Sequence, residues 1–173
     1  KIYFTGGVKT LTGPSFISCS DKIDVFDIGT NSLSTTTGLH KARAEMASIA
    51  AVNKIFWAGG STSRLSVDAG AESSEVEIRD VNTGNSTLAH VIPRSNFTAV
   101  IKGDNIVFFT GNLWSRNGTH FDIYNISSNT WYTGILDQFI VGAAIIAVDD
   151  NIYVAGGFDG SGRYYDKVWR LEF

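Results

Sequence analysis

The amino-acid sequence predicts an all-β fold made of similar antiparallel sheets, and three observations point to it. A short apolar phrase that ends in glycine occurs four times in the 173 residues: KIYFTGG at 1–7, KIFWAGG at 54–60, NIVFFTG at 105–111 and NIYVAGG at 151–157. The phrases start 53, 51 and 46 residues apart. Glycine is frequent, with 18 copies, and proline is rare, with 2, which suits many short strands joined by turns. A repeat near 50 residues of this kind is typical of the blade of a β-propeller.

Each repeat divides into four strands. The first is a run of small apolar residues before the phrase, at 46–52, 97–102 and 143–148. A tight polar turn at 52–53, 103–104 or 149–150 favours a hairpin into the second strand, which is the phrase itself. The third strand alternates polar and apolar residues, at 22–27, 75–80, 120–125 and 167–172. After a turn comes the fourth, near 32–37, 86–89 and 130–135.

This order of elements resembles the kelch repeat, which has Gly-Gly after the second strand, an aromatic in the third and Thr-Trp opening the fourth. The third unit carries the last two features, at Tyr124 and Thr130-Trp131. The other units depart from the pattern, because Arg79 replaces the aromatic in the second, and Leu33 and Thr87 replace the tryptophan. The third phrase also ends in Thr110-Gly111 rather than Gly-Gly. The resemblance covers essentially the whole chain and implies a kelch-like β-propeller.

The first unit lacks its first strand and the last unit ends in its third. The sequence therefore predicts 14 strands, or about three and a half blades, in one partial propeller over 1–173. Its blades lie near 1–40, 41–90, 91–136 and 137–173. Kelch-type propellers generally have six or seven blades, so we expect this arc to be part of such a ring. A chain that is processed, truncated or only partly represented would account for the start at Lys1.

An open arc leaves apolar blade faces in water, at a cost comparable to the whole stability of a domain. We therefore expect additional blades, from the same polypeptide or from a second chain, to complete the ring. A closed four-blade ring is the alternative. Small residues of the first strands suit the crowded axis of either arrangement.

Antiparallel strand order places the loops after the second and fourth strands at one end. That end holds the long loops at 8–20 and 61–73, where binding residues usually lie on rigid frames. Arginines and aromatics gather there, which suits acidic or planar ligands. The candidate ligand-binding residues are Arg43, Arg64, Arg94, Arg116, Arg163, Trp114, Tyr164 and Tyr165. For Arg43 and Arg94, which occupy equivalent places, the alternative is that they brace neighbouring blades through backbone carbonyls; for the aromatics it is loop packing.

These residues indicate a non-catalytic module that binds a protein segment or a glycan. Some kelch domains bind acidic peptides through arginines at this end, so the resemblance implies the same. The alternative is a structural or assembly subunit whose open blade edges pair with another chain. A galactose-oxidase-like copper enzyme is less favoured, because such a site needs a Cys–Tyr pair and histidines, and the repeat places neither tyrosine nor histidine beside Cys19.

Composition excludes other classes. The net charge of −3 argues against a nucleic-acid binder, and no apolar run reaches the ~20 residues of a membrane span. One cysteine forms no internal disulfide, and the spacing of the three histidines predicts no metal site. We expect no cofactor. Four sequons, at Asn85, Asn96, Asn117 and Asn125, permit glycosylation and slightly favour an extracellular or cell-surface location.

Overall fold

The computed structural model describes residues 1–11, 17–63, 71–109, 111 and 119–172. These residues form 16 strands, of which 14 make up four antiparallel sheets and two make a separate ribbon. Nowhere in this part of the chain is there a helix long and apolar enough to span a membrane.

Blade 1 combines β1 (Ile2–Thr5), β4 (Ile23–Asp27) and β5 (Ser32–Thr36), in the spatial order β1-β4-β5. Between β1 and β4 lies a two-stranded ribbon, β2 (Val8–Leu11) and β3 (Ile17–Cys19). The prediction of a loop over residues 8–20 is therefore wrong in part, because β2 and β3 pair with each other there. Two strands of four and three residues are too short for their alternation to stand out in the sequence.

Blades 2 and 3 are complete and have four strands each in sequential order. Blade 2 comprises β6 (Ala47–Ala51), β7 (Lys54–Ala58), β8 (Glu75–Asp80) and β9 (Ser86–His90). Blade 3 comprises β10 (Thr98–Lys102), β11 (Asn105–Phe109), β12 (His120–Asn125) and β13 (Thr130–Ile135). Blade 4 has three strands, β14 (Ala144–Val148), β15 (Asn151–Ala155) and β16 (Val168–Leu171).

The blades stand side by side with their first strands together, since β10 packs beside both β6 and β14. Within the described part of the chain, buried apolar residues form two clusters between blades. One lies between blades 2 and 3 around Phe56, Phe108 and Tyr124, and the rings of Phe56 and Tyr124 are 5.2 Å apart. The other lies between blades 1 and 2 and joins Ile23 and Val25 to Trp57. At these two interfaces the facing sheets therefore bury one another, as the repeat predicts.

The outward faces of the first and last blades remain open. Ile2 and Phe4 of blade 1 are 45% and 57% exposed, and Ile146 and Val168 of blade 4 are 59% and 66% exposed. In a closed four-blade ring these residues would be buried against one another. The described residues therefore form an open arc.

Candidate functional site at the loop end of the arc

The loop end is built where glycine-ended strands meet the connections that enter the next blade. Gly7 donates its N–H to the carbonyl of Arg43, and Gly60 donates to that of Arg94, both at 2.9 Å. Both glycines have a left-handed backbone, with φ of +95° and +93°. A side chain at Gly60 would approach the carbonyl of Ala44, in the connection that enters the same blade, to 2.5 Å, so the close packing of the chain within blade 2 requires glycine there.

Arg43 lies in the connection that enters blade 2 and is 0% exposed. Its Nη1 donates to the carbonyls of Gly59, at 2.9 Å, and Glu75, at 2.6 Å. Its Nη2 lies 3.4 Å from the Glu75 carboxylate. Burial lowers the pKa of the Arg43 guanidinium, and the charges of Glu75 and Glu77 oppose this. The side chain therefore ties the connection from blade 1 to the second and third strands of blade 2.

Arg94 repeats this arrangement in blade 3 and is 1% exposed. Its Nη1 donates to the carbonyls of His120, at 3.0 Å, and Phe108, at 3.4 Å, and its Nη2 pairs with the Asp122 carboxylate. The ring of Phe97 lies 5.6 Å from the guanidinium carbon. Burial lowers the pKa of Arg94, while the Asp122 carboxylate opposes this.

The guanidinium groups of Arg43 and Arg94 are thus bonded within the blade that each residue enters, and ligand contact by either side chain stays a prediction. Their donors face carbonyls and carboxylates of the protein, and almost no surface of either side chain reaches solvent. A ligand at this end would meet other residues first.

Among the candidate residues that the structure describes, the exposed ones lie on the loop between β15 and β16. Tyr164 is 80% exposed, and its ring lies 5.9 Å from that of Phe158. Arg163 beside it is also exposed. Tyr165 is half-buried and packs within the blade, since its hydroxyl donates to the carbonyl of Phe139 at 3.3 Å and its ring meets Trp169 edge-on at 5.3 Å. Tyr165 therefore shows the loop packing that was the alternative for the aromatics.

A network around Asp159 shapes this loop. One carboxylate oxygen accepts hydrogen bonds from the Ser161 hydroxyl, at 2.7 Å, and from the backbone N–H groups of Ser161 and Arg163, at 2.9 and 3.1 Å. These bonds, led by the Ser161 hydroxyl, lower the pKa of Asp159. The tip that carries Arg163 and Tyr164 is consequently held by short polar contacts as well as by the contact of Tyr164 with Phe158.

Three candidate ligand-binding residues, Arg64, Trp114 and Arg116, lie outside the described residues, as does the sequon asparagine Asn117. Of the other sequons, Asn85 and Asn96 are exposed. Asn125 is half-buried, donates to the side chain of Asn105 at 2.9 Å and accepts from Ser128. Glycosylation at all four positions stays a prediction.

The cysteine and the three histidines make packing or local polar contacts. Cys19 is buried, its thiol lies 3.4 Å from the carbonyl of Ser61, and burial raises its pKa, which disfavours the reactive thiolate. His40 pairs with Glu75 at 3.0 Å, whereas His90 and His120 contact hydroxyl groups of Ser74 and Thr119. Among the described residues, no group of three or more His, Cys, Asp or Glu side chains is placed to hold a metal ion.

The buried polar residues of the third strands were not predicted from the sequence. Glu77, 1% exposed, and Asp122 occupy the same position in β8 and β12, and each accepts a backbone N–H from the connection entering its blade. Arg79 donates to Thr36 and Thr37 of blade 1, with its shortest bond, 2.7 Å, to the Thr36 hydroxyl. The sequence did contain a signal for these contacts. Glu77 and Asp122 occupy equivalent strand positions, and Arg43 and Arg94 occupy equivalent connections.

Comparisons with known proteins identify the repeat and the fold. The family model described as the kelch motif matches residues 141–172, which confirms the kelch-repeat prediction in the last unit. No curated protein matches the chain in sequence.

Among 172 matching chains of known structure is one titled "Structure of YjhT", with a TM-score of 0.63 and 15% sequence identity. The match covers 87% of this chain and 49% of that chain, so this chain spans about half the length of that structure. The likeness bears on the fold alone. Together with the sheet order and the kelch motif, it confirms the prediction of a kelch-like β-propeller.

Proposed function

Because this chain is a kelch-repeat protein with a propeller fold, we propose that it is a non-catalytic binding module. Its loop end engages a protein segment or a glycan, and the ligand carries carboxylates beside apolar or planar surface. Arginine and tyrosine suit such ligands, because a guanidinium pairs with carboxylates while a ring covers apolar area with little loss of side-chain freedom.

One observation carries this proposal: the exposed pair Arg163 and Tyr164 stands on a loop whose conformation is supported from within. A loop that is already ordered loses less entropy when a ligand binds. In the sequence, Arg64 and Arg116 lie between the same strands of blades 2 and 3, which would extend the surface along the arc. Arg43 and Arg94 support this surface from below as braces.

The experiment compares the chain with two variants in binding to two fluorescent probes. The probes are a glutamate-rich peptide containing tyrosine and leucine, and an oligosaccharide containing uronic acid. The double variant Arg163→Ala with Tyr164→Ala should weaken binding about 10-fold for the probe that is recognised. Arg170→Ala is the matched control, because Arg170 is an exposed arginine of β16 that pairs with Glu172 outside this loop.

The control should change affinity less than about 2-fold. Equal losses in the double variant and the control would indicate general charge attraction and contradict the proposed site. The probe that binds decides between a protein segment and a glycan, and no binding of either probe at millimolar concentration would contradict the proposal.

The assembly alternative has its own supporting observation in the exposed apolar faces of blades 1 and 4. Additional blades, from the same polypeptide or from a second chain, would cover these faces and extend the arc to six or seven blades. Under this proposal residues 1–173 form one partial propeller divided near residues 40, 90 and 136. Sedimentation of the native material tests it, since a stable monomer of 18.7 kDa would contradict a missing partner.

The copper-enzyme alternative differs from both in needing a metal. Metal analysis of the purified chain distinguishes this alternative from the other two. Stoichiometric copper would favour the oxidase and overturn the non-catalytic proposal.

A further inference from the structure

The connection that enters blade 4 differs from those that enter blades 2 and 3. Each of the earlier two carries a buried arginine, Arg43 or Arg94, beside an acid of the third strand. The equivalent place in blade 4 holds Ile140, because the next residue, Val141, bridges to the loop after the second strand as Ala44 does in blade 2. Ile140 is 3% exposed, so an apolar side chain is buried where the other two blades bury a guanidinium.

The acid of the third strand is replaced in blade 4 as well. In blades 2 and 3 the residue opposite the fourth position of the phrase is Glu77 or Asp122. In blade 4 it is Trp169, which lies opposite Val154. Both places are thus apolar in this blade, so an uncharged group can be buried between them without separating an ion pair.

A cavity of about 210 Å³ lies at this place, between blades 3 and 4. Its walls include three side chains that are at most 3% exposed, those of Phe109, Ile140 and Val154. The half-buried Trp169 forms a further wall. An apolar cavity of ~150 Å³ accommodates benzene, so this one has room for a single aromatic ring with a small substituent.

The Trp169 wall is tied to the connection through Tyr165. The ring of Tyr165 meets that of Trp169 edge-on at 5.3 Å, and its hydroxyl donates to the carbonyl of Phe139 at 3.3 Å. The wall and the connection therefore support each other. The cavity is accordingly formed before a ligand enters it, as is usual for small-molecule sites.

The other blades also indicate a polar contact for the ligand. In blades 2 and 3 the acid opposite the fourth position accepts a backbone N–H from the connection, at 2.8 and 3.2 Å. The equivalent N–H in blade 4 is that of Asp137, because each of these residues follows one that donates to a carbonyl just before the third strand of the preceding blade. Asp137 lines the cavity and is exposed, whereas the indole of Trp169 has no oxygen that could accept its N–H. An oxygen of a ligand can take this role, and the carboxylate of Asp137 disfavours a ligand that is itself negatively charged.

We propose that this cavity binds a small, uncharged compound with one aromatic ring and a carbonyl oxygen. The ring packs among Phe109, Ile140 and Trp169, and the oxygen accepts the backbone N–H of Asp137. The cavity lies between two blades and is lined by neither Arg163 nor Tyr164. It is therefore a second binding site, beyond the one proposed for the loop end.

The experiment compares two probes of similar shape, acetophenone, which is neutral, and benzoate, which is an anion. Binding is followed by NMR through the methyl groups of Ile140 and Val154 and the backbone amide of Asp137. Acetophenone should bind with a Kd of roughly 0.1–1 mM and should move the amide proton of Asp137 downfield. Benzoate should bind at least about 10-fold more weakly, because its charge is placed beside a carboxylate.

Two variants test the place of binding. Ile140→Arg combined with Trp169→Glu restores the charged pair of blades 2 and 3 and fills the cavity, so the affinity for acetophenone should fall at least 10-fold. Trp169→Ala alone removes one wall and should have the same effect, and it decides the matter if the double variant does not fold. Tyr132→Ala is the matched control, because Tyr132 is an aromatic residue of β13 that is 58% exposed and does not line this cavity. It should change the affinity less than about 2-fold.

Absence of saturable shifts at Ile140 and Val154 with acetophenone at 10 mM, roughly 10-fold above the weakest expected Kd, would overturn the proposal. So would equal binding of benzoate, or equal losses in Trp169→Ala and Tyr132→Ala, since the latter would indicate general attraction to exposed rings. Undiminished binding by a folded double variant would place the ligand elsewhere and would also overturn it. Arg163→Ala with Tyr164→Ala should leave acetophenone binding unchanged, so the two proposed sites fail separately.

Discussion

Arg43 and Arg94 each join two neighbouring blades. The backbone carbonyl contacts one blade and the guanidinium group contacts the other. The backbone carbonyl of Arg94 accepts the N–H of Gly60 in blade 2, while its guanidinium binds Asp122 and the carbonyl of His120 in blade 3. A buried arginine needs partners for its donors, because an unpaired buried charge is strongly destabilising. The same residue therefore holds two blades in register, and Arg43 does this one blade earlier.

Glu72, which lies beside this brace, should make stability depend on pH. Burial raises the pKa of Glu72 above its usual 4.5, although a hydrogen bond from Ser95 and the charge of Arg94 oppose the shift. A carboxyl with a raised pKa holds its proton more tightly in the folded state, so its contribution to stability falls as pH rises above 4.5. Glu72→Gln keeps an acceptor for Ser95 and should raise Tm at pH 7 by roughly 2 °C. Thermal unfolding followed by circular dichroism measures this, and the gain should disappear below pH 4.5.

Asp80 is the matched control, because its pKa is shifted the other way. Backbone hydrogen bonds, the largest from Thr83, lower the pKa of Asp80 below 3.8, so its contribution is present at neutral pH and lost as pH falls below 3.8. Asp80→Asn should therefore lower Tm at pH 7, with the loss shrinking in acid. If Tm at pH 7 changes in the same direction for Glu72→Gln and Asp80→Asn, this explanation is wrong.

At the scale of elements, the last glycine of the phrase allows the end of the second strand to pack closely against the connection that enters the same blade. Gly7 and Gly60 are equivalent and share a left-handed backbone, but a Cβ at Gly7 would meet nothing within 4 Å. Gly7→Ala should thus cost about 1 kcal/mol from backbone strain alone. Gly60→Ala adds a 2.5 Å approach to the carbonyl of Ala44 and should cost roughly 2 kcal/mol more. Urea unfolding of both variants measures the difference, and equal losses would show that packing plays no part.

The 14 blade strands are predictable from the sequence because alternation and turn residues are local signals. β12, for example, was expected at 120–125, and the structure forms it over His120–Asn125. The ribbon of β2 and β3 was missed, since the intervening sequence contains Gly13 and Pro14 and each strand is very short. Arg79 was judged only as a departure from the aromatic, because its partners lie more than 40 residues away in blade 1.

The candidate site was predictable only in part for a different reason. The repeat places Arg43, Arg94 and Arg163 at the same end of the blades, but it does not distinguish a buried side chain from an exposed one. That distinction depends on carboxylates and carbonyls brought in from other strands, such as Asp122 beside Arg94. Exposure of Tyr164, by contrast, follows from its place at the tip of a loop, where its side chain is 80% exposed.

At the scale of the whole molecule, the described arc is an array in which each blade contacts only the blades beside it. In such arrays local stability is the sum of a unit's own stability and its interfaces, so an end unit opens first. Blade 1 has blade 2 on one side and exposed apolar residues on the other. Its attachment includes the Arg79 bonds to Thr36 and Thr37, which form one polar clamp between the two sheets.

Removing that clamp should loosen one end of the arc selectively. Arg79 is 5% exposed, so Arg79→Ala removes the hydrogen bonds that a buried, charged donor makes to Thr36 and Thr37 of blade 1 and should cost roughly 2–3 kcal/mol. Hydrogen exchange should then be about 10- to 100-fold faster for amides of β4 and β5, and nearly unchanged for β12 and β13. Arg79→Lys retains the positive charge but lacks the planar guanidinium group. Its exchange rates in β4 and β5 should lie between those of the unchanged chain and those of Arg79→Ala. Equal acceleration in all four strands would mean that the arc unfolds as one cooperative body, and the description of blade 1 as a separately opening end unit would be wrong.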